Sequence, residues 1–299
     1  MLRRPILPRL LVRRLLLRAA HRRRRRDSHR TGLERDAARA EHRLDGFRAE
    51  QPTVTYAICA IPRSGSGLLS TGLRDSNLAG RPMEFFNDHI YPSILAHWGC
   101  MSRAARSLSW LTPFVSLFRL SPSTLRTYVA ELPRRRSSDN GVFGFKVHYM
   151  QWEAELAPRP FHTLFPRLRY IAIRRQDRVR QAVSFVRALQ SDRWRAPQDE
   201  ILPPKYSSGA IASALANIER QEAGWERYFE THGIEPLRIV YESLATSYEE
   251  TLLEVLDFLG VERPPGLRLP PPRSQRLADT LTEEWVARFR AEEGVSLQR

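Results

Sequence analysis

Apolar and polar positions change period several times along this chain, and each change marks an element. From Val54 to Ile61 the residues are apolar and β-branched without interruption, the pattern of a strand buried on both faces. The run stops at Pro62-Arg63-Ser64-Gly65-Ser66-Gly67, and Leu68 to Arg74 then reads as a helix. Further strands are expected over Gly141 to Val147, over Leu168 to Ile173, and over Leu237 to Val240. Between them, Val179, Ala182, Val183, Val186 and Leu189 fall on one helical face. A longer helix carries Ile211, Leu215, Ile218, Trp225 and Phe229 at three-, four- and seven-residue intervals, with Ser207 or Ser208 as its cap. Another runs from Tyr248 to Leu259 and stops at Gly260. Strands alternating with helices predict an α/β fold with a mainly parallel central sheet flanked by helices. Residues 89–140 and the proline-rich 264–272 lack a clear period and read as loops and a helical insert; no internal repeat is present.

Charge changes the picture only at the N-terminus. The formal net charge of +15 first suggests a nucleic-acid partner. Residues 1–50, however, hold sixteen arginines against six acids, so the rest of the chain carries a net charge of only +5. Lysine occurs twice, at Lys146 and Lys205. Residues 1–51 are therefore set apart as a basic extension, expected to be disordered, and 52–299 as the folded domain. Arginine and leucine alternate near Pro8 to Arg18, which also fits an amphipathic helix in peripheral contact with an anionic membrane. No apolar stretch there is long enough for a signal-peptide core or a span. Two cysteines, Cys59 and Cys100, exclude a disulfide framework and a multi-cysteine metal site. They fit a reducing, cytoplasmic setting, and no metal is expected.

Two segments carry candidate chemistry. Strand, glycine-serine turn and helix at 62–69 would aim backbone N–H groups at an anion. The spacing is not that of a nucleotide-triphosphate loop, which needs a lysine after its last glycine. What the segment offers is one permanent cation, Arg63, and the hydroxyls of Ser64, Ser66 and Ser70. The competing reading is a flexible turn. The second segment begins at Arg174-Arg175, where the third strand ends, and reaches Ser184 on the following helix. Arginine and serine so placed can clamp a second anion; the competing reading is a solvated basic face. Together they imply two anion sites on one ligand.

Several ordered motifs then make the chain resemble the bacterial trehalose 2-sulfotransferase family, from about Tyr56 to Arg290. These are Pro62 to Ser66, Ala79-Gly80-Arg81-Pro82-Met83-Glu84-Phe85-Phe86, Gly144-Phe145-Lys146, Arg175 to Ser184, and Ala188-Leu189-Gln190 with Trp194. They continue with Gln221 to Trp225 and Glu284-Trp285. The resemblance implies a P-loop-like sulfotransferase fold and a sulfuryl donor, 3′-phosphoadenosine-5′-phosphosulfate (PAPS), used without a metal. It implies a carbohydrate or glycolipid acceptor, with a trehalose-like sugar as one candidate, no nucleic acid, and a homodimer. It places the 5′-phosphosulfate on Arg63, Ser64, Gly65, Ser66 and Gly67, and the 3′-phosphate on Arg175, Ser184 and Arg276. Arg174 would lend electrostatic support.

The same resemblance makes Glu84 the catalytic base, with Arg63 stabilising the leaving group; His148 and His97 are rival bases. The family usually has threonine where this chain has Gly67, which leaves a non-catalytic sulfotransferase-like protein as an alternative. A basic nucleic-acid-binding protein is the other.

Overall fold

The computed structural model describes residues 52–87, 94–95, 98, 122–156, 160–191, 194, 203–272 and 280–294. The expectations for residues 1–51, for His97, for Arg276 and for most of the 89–121 stretch lie outside them.

Four parallel strands form one sheet in the order β2-β1-β3-β4. They are β1 (Val54–Ala60), β2 (Val142–His148), β3 (Leu168–Arg174) and β4 (Leu237–Val240). Helices connect them: α1 (Ser66–Asp75), α2 (Pro122–Arg136), α3 (Tyr149–Gln151, running into a π-turn, Trp152–Leu156) and α4 (Arg178–Ser191). After them come α5 (Ser208–Thr231), α6 (Tyr241–Thr246), α7 (Tyr248–Phe258) and α8 (Thr280–Glu293). The strands follow the expected positions, with β1 one residue shorter, β2 displaced by one and β3 extended by one. Helices α6 and α8 are additions, and α2 supplies order within the insert that lacked a period. Ser207 is the cap of α5, its side chain accepting from the Ala210 N–H.

Because β1 is central, its side chains must be buried on both faces, and they alternate between two cores. Ala57, Cys59 and Ile61 join Phe143, Phe145, Val147, Tyr170 and the inner faces of α2, α4, α5 and α8. Tyr56, Ile58 and Ala60 join Val142, Ile171, Ile173, Ile239 and the inner faces of α1 and α7. This explains why β1 reads as an unbroken apolar run. One close approach depends on a missing side chain: a Cβ on Gly144 would lie 2.1 Å from the Tyr56 ring. The Tyr56 hydroxyl, wedged past Gly144, donates to the Ala79 carbonyl at 2.7 Å. That bond fixes the segment that follows α1 beside β2.

Strand order also decides where a site can form. The chain leaves β1 to make β2 on one side and then crosses over to make β3 on the other. The carboxyl ends of β1 and β3 therefore open onto a topological switch point, where loops diverge and leave a crevice.

The turn from β1 into α1 is built from left-handed residues, Arg63 at φ 66° and Gly65 at φ 90°. A Cβ on Gly65 would lie 2.2 Å from the Tyr241 ring, whereas one on Gly67 would meet nothing within 4 Å. Gly65→Ala should therefore lower the unfolding free energy, by about 1–3 kcal/mol for overpacking a rigid neighbour. Gly67→Ala should leave it unchanged or raise it by up to about 1 kcal/mol, through helix propensity alone. Equal effects of the two substitutions in urea melts would contradict this account of the turn.

Candidate functional site

Three strand ends supply the site. The turn after β1 opens with the Ser64 N–H donating to the Ile61 carbonyl at 3.2 Å, and the Leu68 N–H bonds Gly65 O at 2.9 Å. No side chain caps the first turn of α1. Its N–H groups and positive dipole end are therefore offered to an outside anion. Ser64 is fully buried, and its hydroxyl has no partner. An orphaned buried hydroxyl costs stability unless a ligand completes it.

Arg63 crosses from this turn to α4. Its Nε donates to Ser184 Oγ at 2.9 Å and its Nη1 to the Trp194 carbonyl at 2.7 Å. The two motifs singled out in the sequence, 121 residues apart, thus meet directly. Beside them, buried Gln181 of α4 donates to the Pro62 carbonyl at 2.9 Å, and Trp225 Nε1 of α5 donates to Ala60 O at 2.9 Å. Both bonds pin the backbone on which the turn is hung. Burial, and then the nearby charge of Arg175, lower the Arg63 pKa to about 10. The guanidinium stays charged at neutral pH, but in a setting that favours an added anion.

Arg175 follows β3 as Arg63 follows β1. Its guanidinium lies over the Tyr241 ring at 4.7 Å, and its Nε, buried without a hydrogen bond, is 3.9 Å from the Glu242 carboxylate. Glu242 also accepts from the Gln176 and Asp177 N–H groups at 3.0 and 3.3 Å. Tyr241 therefore packs against both Gly65 and Arg175. Neither Tyr241 nor Glu242 was singled out from the sequence. The available signal was position, since Tyr241 is the first residue after β4, the place that Arg175 holds after β3. Arg174, the last residue of β3, points outward and is exposed.

Glu84 lies at the end of β2. The segment before it runs alongside that strand: the Gly80 N–H donates to Ser138 Oγ at 3.0 Å, and the Lys146 N–H donates to Met83 O at 2.8 Å. Within β2, Phe145 and Val147 point into the core shared with α4 and α5. Lys146 and His148 alternate with them, so they face the other side of the sheet, which also carries α1. Glu84 meets both there. Lys146 Nζ is 2.9 Å from Glu84 Oε1, and His148 Nδ1 is 3.6 Å from Oε2. Asn87 Nδ2 and Gln151 Nε2 donate to Oε2 at 2.9 and 2.8 Å. Gln151 in turn accepts from the His148 N–H at 2.9 Å, and the His148 side chain accepts from the Gln151 backbone.

Burial alone would raise the Glu84 carboxyl; the cationic surroundings and the donated bonds outweigh it and hold the group well below the usual carboxylate range. Burial, with Lys146 adding to it, pushes His148 down to about 4, against the pull of Glu84. At neutral pH His148 is therefore uncharged, and the lasting cation beside Glu84 is Lys146. Register joins this cluster to the arginine turn, because Ala60 of β1 pairs with His148 of β2, and Arg63 is three residues beyond Ala60. A carboxylate, an ammonium, a guanidinium and a bare helix N-terminus thus line adjacent strand ends. Among the described residues no cluster of three or more histidine, cysteine, aspartate or glutamate side chains could hold a metal ion. No helix among them is long and apolar enough to cross a membrane.

Known proteins are similar to this chain over most of its length. The trehalose 2-sulfotransferase of Mycolicibacterium smegmatis is 33% identical over 264 residues, covering 81% of this chain and 96% of its own length. That of Mycobacterium tuberculosis is 34% identical over 272 residues, covering 82% and 96%. Among solved structures, the sulfotransferase domain from the Synechococcus PCC 7002 olefin synthase aligns over 84% of this chain and 91% of its own. Its TM-score is 0.45, at 16% identity. The Stf0 sulphotransferase family matches residues 55–292, nearly the whole chain beyond the basic extension, and this protein belongs to it.

Proposed function

We propose that the enzyme transfers a sulfuryl group from PAPS to a hydroxyl of a carbohydrate or glycolipid, with a trehalose-like disaccharide as the first acceptor to test. The observation that carries the reading is the meeting of Arg63 with Ser184 across the switch point, one strand away from Glu84. The donor carries anions at two ends, and the chain offers two candidate anion-binding segments, with Tyr241 packed against Gly65 of one and Arg175 of the other. The orphaned Ser64 hydroxyl and the unbonded Arg175 Nε fit such a ligand. Arg63, Ser64, Gly65, Ser66 and Gly67 would hold the phosphosulfate end; Arg175 and Ser184 would hold the 3′-phosphate, with Arg276 as a further candidate.

When bound, PAPS supplies the sulfuryl group and a phosphate leaving group. Arg63 offsets charge that develops on the leaving oxygen, through a donor already in place. Its bond to Ser184 gives way as the donor's oxygens take up both side chains. Glu84 accepts the proton of the attacking hydroxyl. A carboxylate with so low a pKa is a weak base, yet it suffices. A hydroxyl that has begun to bond to sulfur becomes far more acidic than a free alcohol, so the proton moves downhill. His148 is the poorer candidate, because its side chain already accepts from the Gln151 backbone.

Donor binding provides the first test. Arg175→Ala should weaken adenosine 3′,5′-bisphosphate by roughly 10- to 100-fold, as loss of a charge-assisted bond does, and leave adenosine 5′-monophosphate nearly unaffected. An unchanged preference in calorimetry would remove Arg175 from the 3′-phosphate site. Glu84→Gln should keep donor binding and reduce transfer of labelled sulfate by about 10²–10⁴-fold. Retention of more than about a third of wild-type turnover, far above that range, would exclude Glu84 as the base. Residues 1–51 are proposed to be dispensable, so a chain beginning at Pro52 should retain helix content by circular dichroism and the wild-type turnover.

A further inference from the structure

The two oxygens of Glu84 are not equivalent. Oε2 accepts from both Asn87 and Gln151, and each oxygen of a carboxylate has two lone-pair sites, so Oε2 is saturated. Oε1 has one partner, Lys146 Nζ at 2.9 Å, and keeps one site open. Lys146 is a charged residue with 7% exposure inside a strand, between the fully buried Phe145 and Val147. Buried ion pairs are seldom justified by stability, since well-packed apolar residues usually do as well or better. Side-chain choice points the same way. The chain has 48 basic residues, and all but Lys146 and Lys205 are arginines. A lysine at this position, in so arginine-biased a sequence, supplies a compact point charge that touches one oxygen. A guanidinium fork would fill two acceptor sites.

We propose that Lys146, with Gln151 and Asn87, is a positioning residue that aims Glu84 so that Oε1 is the oxygen which takes the acceptor's proton. Gln151 and Asn87 hold Oε2, and Lys146 holds one side of Oε1. The remaining lone pair of Oε1 is the only one into which an O–H can donate. The inference rests on the reading of Glu84 as base in sulfuryl transfer. It adds three residues to that site, of which the sequence had marked only Lys146, as part of a motif without a role. The groups facing the carboxylate are Lys146 and His148 from β2, Gln151 from α3, and Asn87 from its own segment. Of these, only Lys146 is cationic above about pH 4, given where His148 titrates.

Two substitutions at one position separate aim from charge. Lys146→Met removes the charge, so the Glu84 carboxyl should rise and the acidic limb of the kcat profile should move up by about one to three pH units. Lys146→Arg keeps the charge, so its acidic limb should stay where wild type has it. Its second N–H should fill the open site of Oε1 and lower kcat by about tenfold or more, within the span of general-base effects. In both variants the affinity for adenosine 3′,5′-bisphosphate should stay within about threefold of wild type, as befits a residue outside the donor-binding segments.

The proposal is overturned if Lys146→Met keeps the wild-type kcat and acidic limb, if Lys146→Arg turns over at the wild-type rate, or if either loses donor affinity in step with activity. Should Lys146→Met fail to fold, Gln151→Leu carries the test. It opens Oε2 as a second acceptor, and should lower kcat with donor affinity unchanged; a wild-type kcat there overturns the proposal. Failure of the underlying reading looks different, because wild type itself would then neither bind the bisphosphate nor transfer sulfate.

Discussion

Strand β1 is held between β2 and β3, parallel to both, with its side chains buried on each face. Everything in the site follows from that placement. Parallel pairing puts the carboxyl ends of neighbouring strands at one edge, and a central strand forces its two neighbours to bring their loops to the same place. Arg63, Arg175 and Glu84 come from three different stretches of chain, yet each stands just beyond, or packed against, the end of β1, β3 or β2. Fixing them requires only that the sheet keep its register. Much of the second layer of bonding does that work, with Gln181 on Pro62, Trp225 on Ala60 and Tyr56 on Ala79. Each ties a backbone carbonyl near the site to a side chain rooted in the core.

The electrostatics of the two halves are opposed. On the donor side, burial lowers the preference of both Arg63 and Arg175 for the charged form; the charge of Arg175 adds to that at Arg63, whereas Tyr241 and Glu242 oppose it at Arg175. Glu84, by contrast, takes bonds from Asn87, Gln151 and Lys146 and keeps one acceptor site open on Oε1. Sulfuryl transfer moves negative charge onto the leaving oxygen, and nearby guanidinium groups can offset it. The migrating group carries one negative charge, less than a phosphoryl group, so fixed arginines and backbone donors can meet it.

Gly67 stands where the family resemblance leads one to expect threonine. Its Cβ direction is empty, and the position is exposed, at the second residue of α1. The missing hydroxyl therefore removes one donor without disturbing the turn, because the strain of that turn sits at Arg63 and Gly65 instead. The non-catalytic alternative would need the machinery itself to be broken, and the bonds around Arg63 and Glu84 are intact.

Patterning along the chain was enough for the strands, their parallel arrangement and the long helices, because burial on both faces and the 3.6-residue period are local signatures. The turn at 62–67 and the residues Arg175 and Ser184 could be picked out by residue type as candidate anion sites, but the contact that forms is between Arg63 and Ser184. Helix α6 was not, being six residues long and shorter than any period can establish. The resemblance to a family supplied Glu84, but nothing local distinguishes it from an exposed glutamate before two phenylalanines. Tertiary structure alone decided that Lys146, Asn87 and Gln151 surround it, that Tyr241 fills the space left by Gly65, and that Arg63 reaches Ser184. Sequence determines which groups are available and which face of its element each occupies. Which of them meet depends on strand order and register, properties of contacts between residues as much as 165 positions apart, and these exist only once the sheet has formed.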